Sequence, residues 1–224
     1  MKVLIVGASR GLGHAMAAEF LDRGWEVIGT VRDGTVRTPL HDLADRSAGR
    51  LRVEHLDINR PDQLAPLKER LPRLDVLFVN AGTTNNQETP IGAVPTADFV
   101  EVMVTNALSP MRVIEALDDL VPASGLIGVM SSGQGSITNN TAGSREVYRG
   151  SKAALNMFMR SYAARAPETA LVLMAPGWIR TELGGSRAPF TMDEAIPQVV
   201  DVLLSKLGKP GLDYLDRFGK TVPW

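Results

Sequence analysis

The sequence predicts an α/β fold in which a doubly wound parallel β-sheet carries helices on both faces. Three observations support this prediction. Short apolar segments, typical of buried strands, alternate with helical patterns along the 224 residues. A glycine-rich turn joins the first strand to the first helix. Polar or glycine-rich clusters follow the later strands, and neither a linker nor a repeat divides the chain, so one domain spanning residues 1–224 is expected.

The first strand, turn, helix and second strand form one unit. Residues 2–6 are apolar and β-branched, a helical pattern covers 14–23, and the second strand is predicted at 25–31. Between them, the three glycines of residues 7–13 would let the backbone approach a pyrophosphate, which N–H groups at the helix N-terminus would hold. This order is typical of a dinucleotide-binding unit, although a glycine-rich turn without a ligand is the alternative.

The remaining elements continue the alternation. In chain order, the sequence predicts a short helix at 39–46, a strand at 51–56, a helix at 61–70 capped by Asn59, a strand at 74–79, a polar stretch at 83–90, a long helix at about 96–117, a strand at 126–130, the helix that contains Tyr148, a strand at 169–174 and a helix at about 192–207. Because parallel strands end at one edge of a sheet, the polar clusters that follow them should lie along that edge.

Composition narrows the classes of function. Of the residues, 44% are hydrophobic and 22% charged, and the 24 basic side chains nearly balance the 25 acidic ones, so neither nucleic acid nor a membrane surface is an expected partner. Without cysteine there is no thiol catalysis or thiolate metal site, and the three histidines lack metal-ligand spacing. No metal is therefore expected. No apolar run reaches the roughly 18 residues of a membrane span, so a cytoplasmic protein is expected.

Tyr148 and Lys152 are four residues apart at the start of a predicted helix. Residues at this spacing share a helix face, so the phenol and the ammonium should point the same way. A nearby cation stabilises a phenolate, which would lower the tyrosine pKa from about 10 towards values useful in acid–base catalysis. The pair alone is weak evidence, because short motifs match by chance, and it gains weight from the other motifs.

Together these motifs resemble the short-chain dehydrogenase/reductase family, in family order, over residues 1 to about 181. The residues that carry the resemblance are Gly7, Ala8, Ser9, Arg10, Gly11, Leu12, Gly13, Asp57, Asn80, Ala81, Gly82, Asn106, Ser132, Tyr148, Lys152, Pro176, Gly177, Trp178, Ile179, Arg180 and Thr181. Residues 135–137, 148–156 and 219–224 are most similar to the carbonyl-reductase branch that includes sniffer-type and C-factor-like proteins. The resemblance implies a Rossmann fold and hydride transfer between nicotinamide and a small carbonyl or alcohol.

The resemblance also implies four catalytic residues. Tyr148 would protonate the carbonyl oxygen as hydride arrives and would act as the base in reverse. Lys152 would hold the nicotinamide ribose and keep the phenol acidic, and Ser132 would position the substrate oxygen. Asn106 would anchor a water that connects Lys152 to solvent. In a second paired role, Tyr148 and Lys152 would also contact the cofactor.

The loop between Ser132 and Tyr148 is longer than in many family members, so Ser131 and Ser136 are alternatives to Ser132. Gln134, Trp178 and Leu183 are implied substrate contacts, with Asn139 as a further candidate. These assignments place the substrate beside the phenol. Residues 182–192 would form a short lid, which implies an open site and small or exposed carbonyl substrates.

Most of the implied cofactor contacts follow the predicted strands, and two lie on the predicted helix that contains Tyr148. They are Gly7, Ser9, Arg10, Gly11, Leu12, Gly13, Arg32, Asp57, Ile58, Asn80, Ala81, Gly82, Tyr148, Lys152, Pro176, Gly177, Trp178, Ile179 and Thr181. In these assignments Asp57 accepts from the adenine amino group with Ile58 against the ring, the 80–82 turn packs by the adenine ribose, and Thr181 bonds the nicotinamide carboxamide.

Arg10 and Arg32 favour NADP(H) over NAD(H). A guanidinium binds phosphate as a bidentate fork, so two of them suit the 2′-phosphate of NADP(H). NAD(H) instead needs an acid about 20 residues beyond the glycines for the ribose 2′-OH, and the family register puts Val31 there. Asp33 keeps NAD(H) as the alternative if its carboxylate turns towards the ribose.

Two function classes remain. The first is an NADPH-dependent carbonyl reductase, and the second is a non-catalytic NADP-binding signalling or regulatory protein with the same fold. The complete catalytic set favours the enzyme, whereas the chain is too short for the substrate lobe of a sugar-nucleotide epimerase or dehydratase. A homodimer or homotetramer could form through apolar positions that could equally face the sheet: Phe99, Val102, Met103, Leu155, Phe158 and Met159.

Overall fold

The computed structural model describes residues 1–85 and 88–224, and its centre is one parallel β-sheet. Asn86 and Gln87, which belong to the predicted polar stretch, lie outside the described residues. The strands are β1 (Lys2–Val6), β2 (Glu26–Val31), β3 (Leu51–His55), β4 (Val76–Val79), β5 (Leu126–Met130), β6 (Ala170–Ala175) and β7 (Gly211–Asp216). The α-helices are α1 (Gly11–Asp22), α2 (Pro39–Arg46), α3 (Leu64–Arg70), α4 (Thr96–Met103), α5 (Ser109–Leu117), α6 (Glu146–Arg165) and α7 (Met192–Ser205).

The strand order is β3-β2-β1-β4-β5-β6-β7, and every neighbouring pair is parallel. The chain therefore runs outward from β1 to one edge of the sheet and then outward from β4 to the other. Ligands of such sheets bind beyond the carboxyl ends of the strands, where the order reverses. In this protein that point lies between β1 and β4, and the predicted doubly wound fold is confirmed.

Each face of the sheet carries a hydrophobic core. Leu4 and Val6 point to the face covered by α3, α5 and α6, whereas Val3 and Ile5 point to the face covered by α1, α2 and α7. Successive strand residues alternate between faces, so a strand buried on both sides becomes a continuous apolar run. This is why the central strands were recognisable from sequence.

Three features differ from the sequence prediction. Strand β7 was not predicted, because this edge strand is apolar only in part. A π-helical turn, Val104–Leu108, interrupts the predicted long helix between α4 and α5. Asn59 is not a helix cap: a 3₁₀ turn at Pro61–Gln63 precedes α3 without any side-chain cap, and the Asn59 amide instead bonds Thr105 at 2.8 Å.

Within the described residues, no helix is long and apolar enough to cross a membrane. The same residues contain no group of three or more acidic or histidine side chains arranged to hold a metal ion.

Candidate active site

The three glycines of the first turn have different surroundings. Gly7 has φ of 86°, and a Cβ atom added there would lie 2.8 Å from Ala81. A Cβ atom on Gly13 would lie 2.1 Å from the Gly7 carbonyl oxygen, whereas Gly11, with φ of 58°, has no heavy atom within 4 Å of that position. The outer glycines thus allow close packing on the sheet, and the middle one leaves the backbone open to a ligand. These are the distinct glycine roles of a dinucleotide-binding turn, and the residues fit a pyrophosphate.

The turn after β4 is hydrogen-bonded to the end of β1 and to the glycine turn. The main-chain N–H groups of Asn80 and Ala81 both donate to the Val6 carbonyl oxygen, at 2.9 and 3.0 Å. The Asn80 side-chain amide donates to the Gly7 carbonyl oxygen at 2.7 Å. The turn at 80–82 therefore supports the glycine turn directly, as well as lying at the point where the strand order reverses.

Arg32 is an exposed cation at the carboxyl end of β2. Within the described part of the chain it makes no ion pair, whereas the neighbouring Asp33 carboxylate accepts hydrogen bonds from the Thr35 main-chain N–H at 2.8 Å and hydroxyl at 2.7 Å. Those bonds lower the pKa of Asp33 and hold its carboxylate against Thr35, two residues further along the chain. An open cavity of about 700 Å³ lies here, lined by Arg32, Asp33, Gly34, His55, Asp57, Arg60, Asp62, Gln63, Pro66 and Arg70.

Arg10 connects the glycine turn to the predicted lid. Its guanidinium forms an ion pair with Glu182 at 3.1 Å, and both side chains are exposed. Ser9 and Leu12, the other side chains predicted in this turn, are half-buried. Arg10 and Arg32 thus differ, because Arg10 already has an acidic partner.

The predicted adenine contacts are engaged within the protein. One Asp57 carboxylate oxygen accepts from the Asn59 main-chain N–H at 2.9 Å, as in a capped turn. Ile58 is buried in the core, so little of its surface is left for an adenine ring. The roles of both residues towards adenine stay predictions.

Helix α6 carries Tyr148 and Lys152 on one face, as predicted. The Lys152 ammonium nitrogen lies 5.8 Å from the centre of the Tyr148 ring. The Lys152 ammonium is buried and donates to the Met130 carbonyl oxygen at 2.9 Å, at the end of β5. Burial disfavours the charged form, and it lowers the pKa of Lys152 to about 8.

The pKa of Tyr148 does not follow the sequence prediction. Burial raises it above its ordinary value, and the weaker opposing effects come from the Ser132 hydroxyl and the Arg145 charge. The predicted lowering of the Tyr148 pKa is therefore wrong, because the effect of burial is larger than the opposing effects. A sequence shows that a cation is near, but it does not show how much solvent both groups lose.

Ser132 is the serine that faces the phenol. Its hydroxyl interacts with the Tyr148 side chain, whereas the two alternatives are buried and engaged elsewhere. The Ser131 hydroxyl donates to a side-chain amide oxygen of α6 at 2.6 Å. The Ser136 hydroxyl donates to the Trp224 carbonyl oxygen at 3.4 Å. This geometry favours Ser132 over both rivals.

Asn106 lies in the π-helical turn and is fully buried. Its side chain accepts from the Thr83 main-chain N–H at 2.8 Å and donates to the Thr83 carbonyl oxygen at 2.9 Å, and it also bonds Ser151. A Cβ atom added to Gly82 would lie 3.3 Å from the Asn106 amide oxygen and 3.6 Å from the Lys152 ammonium. Asn106 and Lys152 thus flank one point, and π-helical turns are frequent at functional sites.

The segment after β6 begins with the predicted nicotinamide contacts. Pro176 and Ile179 are buried, and the exposed Gly177 has φ of 93°. Ile179 forms an isolated parallel bridge with Phe190. The two ends of the segment therefore meet beside the carboxyl edge of the sheet.

The middle of this segment forms a compact turn. The Thr181 hydroxyl accepts from the Gly184 main-chain N–H at 2.9 Å, and the Trp178 indole N–H donates to the Gly184 carbonyl oxygen at 2.7 Å. Trp178 and Leu183 are exposed large apolar side chains, as expected of residues that would line an open substrate site.

Gln134 lies two residues beyond Ser132. Its main-chain N–H donates to the Ser132 hydroxyl oxygen at 3.1 Å, and its side-chain oxygen is buried without a partner among the described residues. Asn139 is exposed, and its main-chain N–H donates to Ser136. Gln134 is thus the better placed of the two for a polar contact.

The sequence missed two functional candidates because it missed β7. The Tyr214 hydroxyl donates to the Ser132 carbonyl oxygen at 2.5 Å. The Arg217 guanidinium donates to the Pro176 carbonyl oxygen at 3.1 Å. Leu212, Tyr214 and Leu215 after a glycine were the available signal for this strand.

The predicted oligomer surface is only partly exposed. Phe99 and Phe158 are exposed, but Val102, Leu155 and Met159 are buried in this chain. These three face the core, which was the alternative reading of their apolar character. Met103, the sixth predicted position, is half-buried.

Comparison with known proteins supports the family resemblance that the sequence motifs indicate. The model of the family described as short chain dehydrogenase matches residues 1–190. A crystal structure of a short-chain dehydrogenase/reductase from Burkholderia multivorans with bound NADP is 62% identical, with a TM-score of 0.98 over 100% of this chain and 99% of that one. The carbonyl reductase Sniffer of D. melanogaster is 27% identical, with a TM-score of 0.90 over 100% and 99%. The C-signal of Myxococcus xanthus is 33% identical over 155 residues, which cover 67% of this chain and 93% of that protein.

Proposed function

The chain belongs to the short-chain dehydrogenase/reductase family, in its sniffer and carbonyl-reductase type, and from this premise we propose that it is an NADP(H)-dependent reductase of small carbonyl compounds. The observation that carries the proposal is the grouping of Ser132, Tyr148, Lys152 and Asn106 beside a glycine turn that suits a pyrophosphate. A hydroxyl, a phenol and a buried ammonium grouped at the carboxyl edge of the sheet can position a carbonyl group and supply it with a proton.

Cofactor choice rests on Arg32. Its guanidinium has no ion pair within the described residues, and Asp33 is held by Thr35 rather than turned to the ribose. The similar Burkholderia multivorans protein has bound NADP. A 2′-phosphate would therefore meet a free guanidinium, whereas the acid needed for the 2′-OH of NAD(H) is engaged.

In the proposed mechanism, bound NADPH supplies the hydride, and this chain supplies orientation and the proton. Ser132 donates a hydrogen bond to the substrate oxygen and holds it beside the phenol. Burial raises the pKa of Tyr148, so the phenol is protonated at neutral pH and ready to donate to the oxygen as negative charge develops.

Lys152 and Asn106 support the proton donor in this mechanism. The pKa of Lys152, at about 8, leaves its ammonium mostly charged at neutral pH, where its field stabilises the phenolate left after proton transfer. The side chain of Asn106 fixes the main chain of Thr83 next to Gly82, beside the Lys152 ammonium. A water held there would return the proton from solvent.

The proposal includes a single catalytic domain with a short lid at about 182–192. The exposed side chains of Trp178 and Leu183 support an open site for a small carbonyl compound.

Similarity to C-signal favours a second candidate function. A non-catalytic NADP-binding signalling protein would share the fold and the cofactor turn. It would not need the aligned phenol, hydroxyl and buried ammonium, and for this reason the reductase is preferred.

The two candidates separate in one assay. Purified protein is incubated with NADPH or NADH and a panel of small aldehydes, ketones and diketones, and cofactor absorbance is followed. We expect NADPH oxidation with at least one carbonyl compound and a much weaker reaction with NADH. Tight NADPH binding without turnover across the panel would favour the signalling protein, and equal use of both cofactors would refute the role of Arg32.

A further inference from the structure

Arg217, immediately after β7, is a buried cation that the proposed mechanism does not use. It is 7% exposed, and within the described part of the chain no carboxylate lies at ion-pair distance from it, although the charge of Glu194 on α7 is near enough to interact with it. A guanidinium stays charged in proteins, and burying a charge is costly unless other groups compensate for lost water. Phe190 and Phe218 provide part of this compensation, with ring centres 3.8 and 4.4 Å from the guanidinium carbon.

The guanidinium also donates to two neutral acceptors. One N–H donates to the Pro176 carbonyl oxygen at 3.1 Å, and another donates to the Gln198 side-chain oxygen of α7 at 3.0 Å. A Cβ atom added to Gly177 would lie 2.4 Å from the Arg217 nitrogen. The absence of a side chain at Gly177 therefore makes room for the guanidinium beneath the turn after β6.

These contacts join the two ends of one loop. Residues 177–189 leave the sheet after Pro176 and return at Phe190, where Phe190 accepts a main-chain hydrogen bond from Arg180 at 2.8 Å and forms a bridge with Ile179. Arg217 contacts Pro176 through a hydrogen bond and Phe190 through its ring. One guanidinium group, that of Arg217, thus contacts both ends of the segment that carries Thr181.

We propose that Arg217 is a positioning residue that fixes the base of the 177–189 loop and thereby orients the nicotinamide side of the cofactor site. The inference rests on the proposed function and on the predicted bond from Thr181 of this loop to the nicotinamide carboxamide. The planar shape of the guanidinium is central to this role, because a flat group can contact aromatic rings while its N–H groups donate hydrogen bonds. A lysine ammonium keeps the charge but does neither as well.

Arg217→Lys tests this role, with Arg165→Lys as the matched control. Arg165 also lies over an aromatic ring, that of Tyr162 at 5.4 Å, but on an exposed face of α6 away from the loop. Dissociation constants are measured for NADP⁺ and for adenosine 2′,5′-bisphosphate, which has the adenine and 2′-phosphate but no nicotinamide. We expect Arg217→Lys to weaken NADP⁺ binding about tenfold, as for one lost hydrogen bond between the loop and the nicotinamide, and to leave binding of the fragment unchanged. The control should change neither.

Equal weakening of both ligands would show general damage to the fold and overturn the proposal, as would unchanged NADP⁺ binding. A ligand-free readout separates this proposal from the proposed function. Trypsin cleaves after accessible arginines and Arg187 is exposed within the loop, so we expect cleavage at Arg187 to be faster in Arg217→Lys than in the wild type or the control. If the wild type bound neither ligand, the proposed function would fail, and unchanged cleavage in Arg217→Lys would then overturn this inference.

Discussion

The two halves of the carboxyl edge of the sheet are built differently. Around β1 and β2, the groups that suit a dinucleotide phosphate come from short stretches of sequence: a turn of seven residues, 7–13, which Asn80 supports, and Arg32 at the end of the next strand. Around β5 and β6, the site depends on contacts between distant parts of the chain. Tyr214 is 82 residues from Ser132, whose carbonyl it bonds, and Arg217 is 41 residues from Pro176.

The difference follows from the chemistry that each half is proposed to perform. Phosphate is bound by main-chain N–H groups and mobile cations, which glycine conformations and one exposed side chain can provide. Proton transfer requires side chains aligned to a fraction of an ångström, which buried neighbours must enforce. We therefore expect substitutions in the first half to change cofactor affinity, and substitutions in the second half to change turnover.

Tyr148→Phe should show the largest effect. Removal of the proton donor is expected to lower kcat/KM for carbonyl reduction by a factor of about 10² to 10⁴, with a much smaller change in NADPH affinity. Steady-state kinetics and a binding titration measure the two quantities. Tyr162→Phe is the control, because Tyr162 also lies on α6 but away from the site, where its hydroxyl donates to Asp118. Activity retained in Tyr148→Phe would remove the proposed acid.

Lys152 should make the stability of the catalytic half pH-dependent. Its folded pKa, about 8, lies below the ordinary value of 10.5, so the unfolded chain binds more protons between these pH values and stability rises with pH there. Relative to Lys152→Met, the free energy of unfolding of the wild type should rise by roughly 3 kcal/mol from pH 8 to 10.5. Denaturant titrations across this range measure it, and a flat difference would contradict the assigned burial. Arg32→Ala should leave the same curve unchanged.

Arg32→Ala tests whether the half of the site around β1 and β2 determines cofactor affinity. Loss of a charged hydrogen bond to the 2′-phosphate should weaken NADPH binding by a factor of roughly ten to a hundred, and NADH binding should not change. The maximal rate at saturating NADPH should stay near that of the wild type. Arg37→Ala is the control, because Arg37 is exposed but already paired with Asp42 and Asp45. An equal loss of affinity for NADPH and NADH would show that Arg32 does not bind the 2′-phosphate.

Tyr214→Phe should have the smallest effect of the four. It removes one hydrogen bond to the Ser132 main chain, which is worth about 1 kcal/mol, and so should lower kcat roughly fivefold with little change in cofactor affinity. Steady-state rates at saturating NADPH test this expectation. A weakened cofactor affinity with normal kcat would contradict the proposal that this half of the site determines turnover.

The sequence predicted those elements whose patterns are local. The bounds of β1, α2 and β5 match the prediction, since the two strands are continuous apolar runs and Pro39 marks the helix start. Strand β7 was missed because an edge strand buries only part of its surface, and its apolar signal is correspondingly short.

For the candidate site, residue types were predictable but their environments were not. Tyr148 and Lys152 share a face as their spacing requires, yet burial moves the pKa of Tyr148 upward, against the prediction. The Asn59 cap failed for a similar reason, since its amide bonds Thr105, 46 residues away. Solvent loss and long-range partners depend on tertiary packing, which one sequence does not display.

A crystal structure with NADP⁺ bound tests the central claim most directly. The account predicts that the nicotinamide ring lies in contact with the Tyr148 and Ser132 hydroxyls, with the Lys152 ammonium on its ribose and the 2′-phosphate on Arg32. A nicotinamide ring away from the Tyr148 hydroxyl, in a dinucleotide that still occupies the glycine turn, would contradict it.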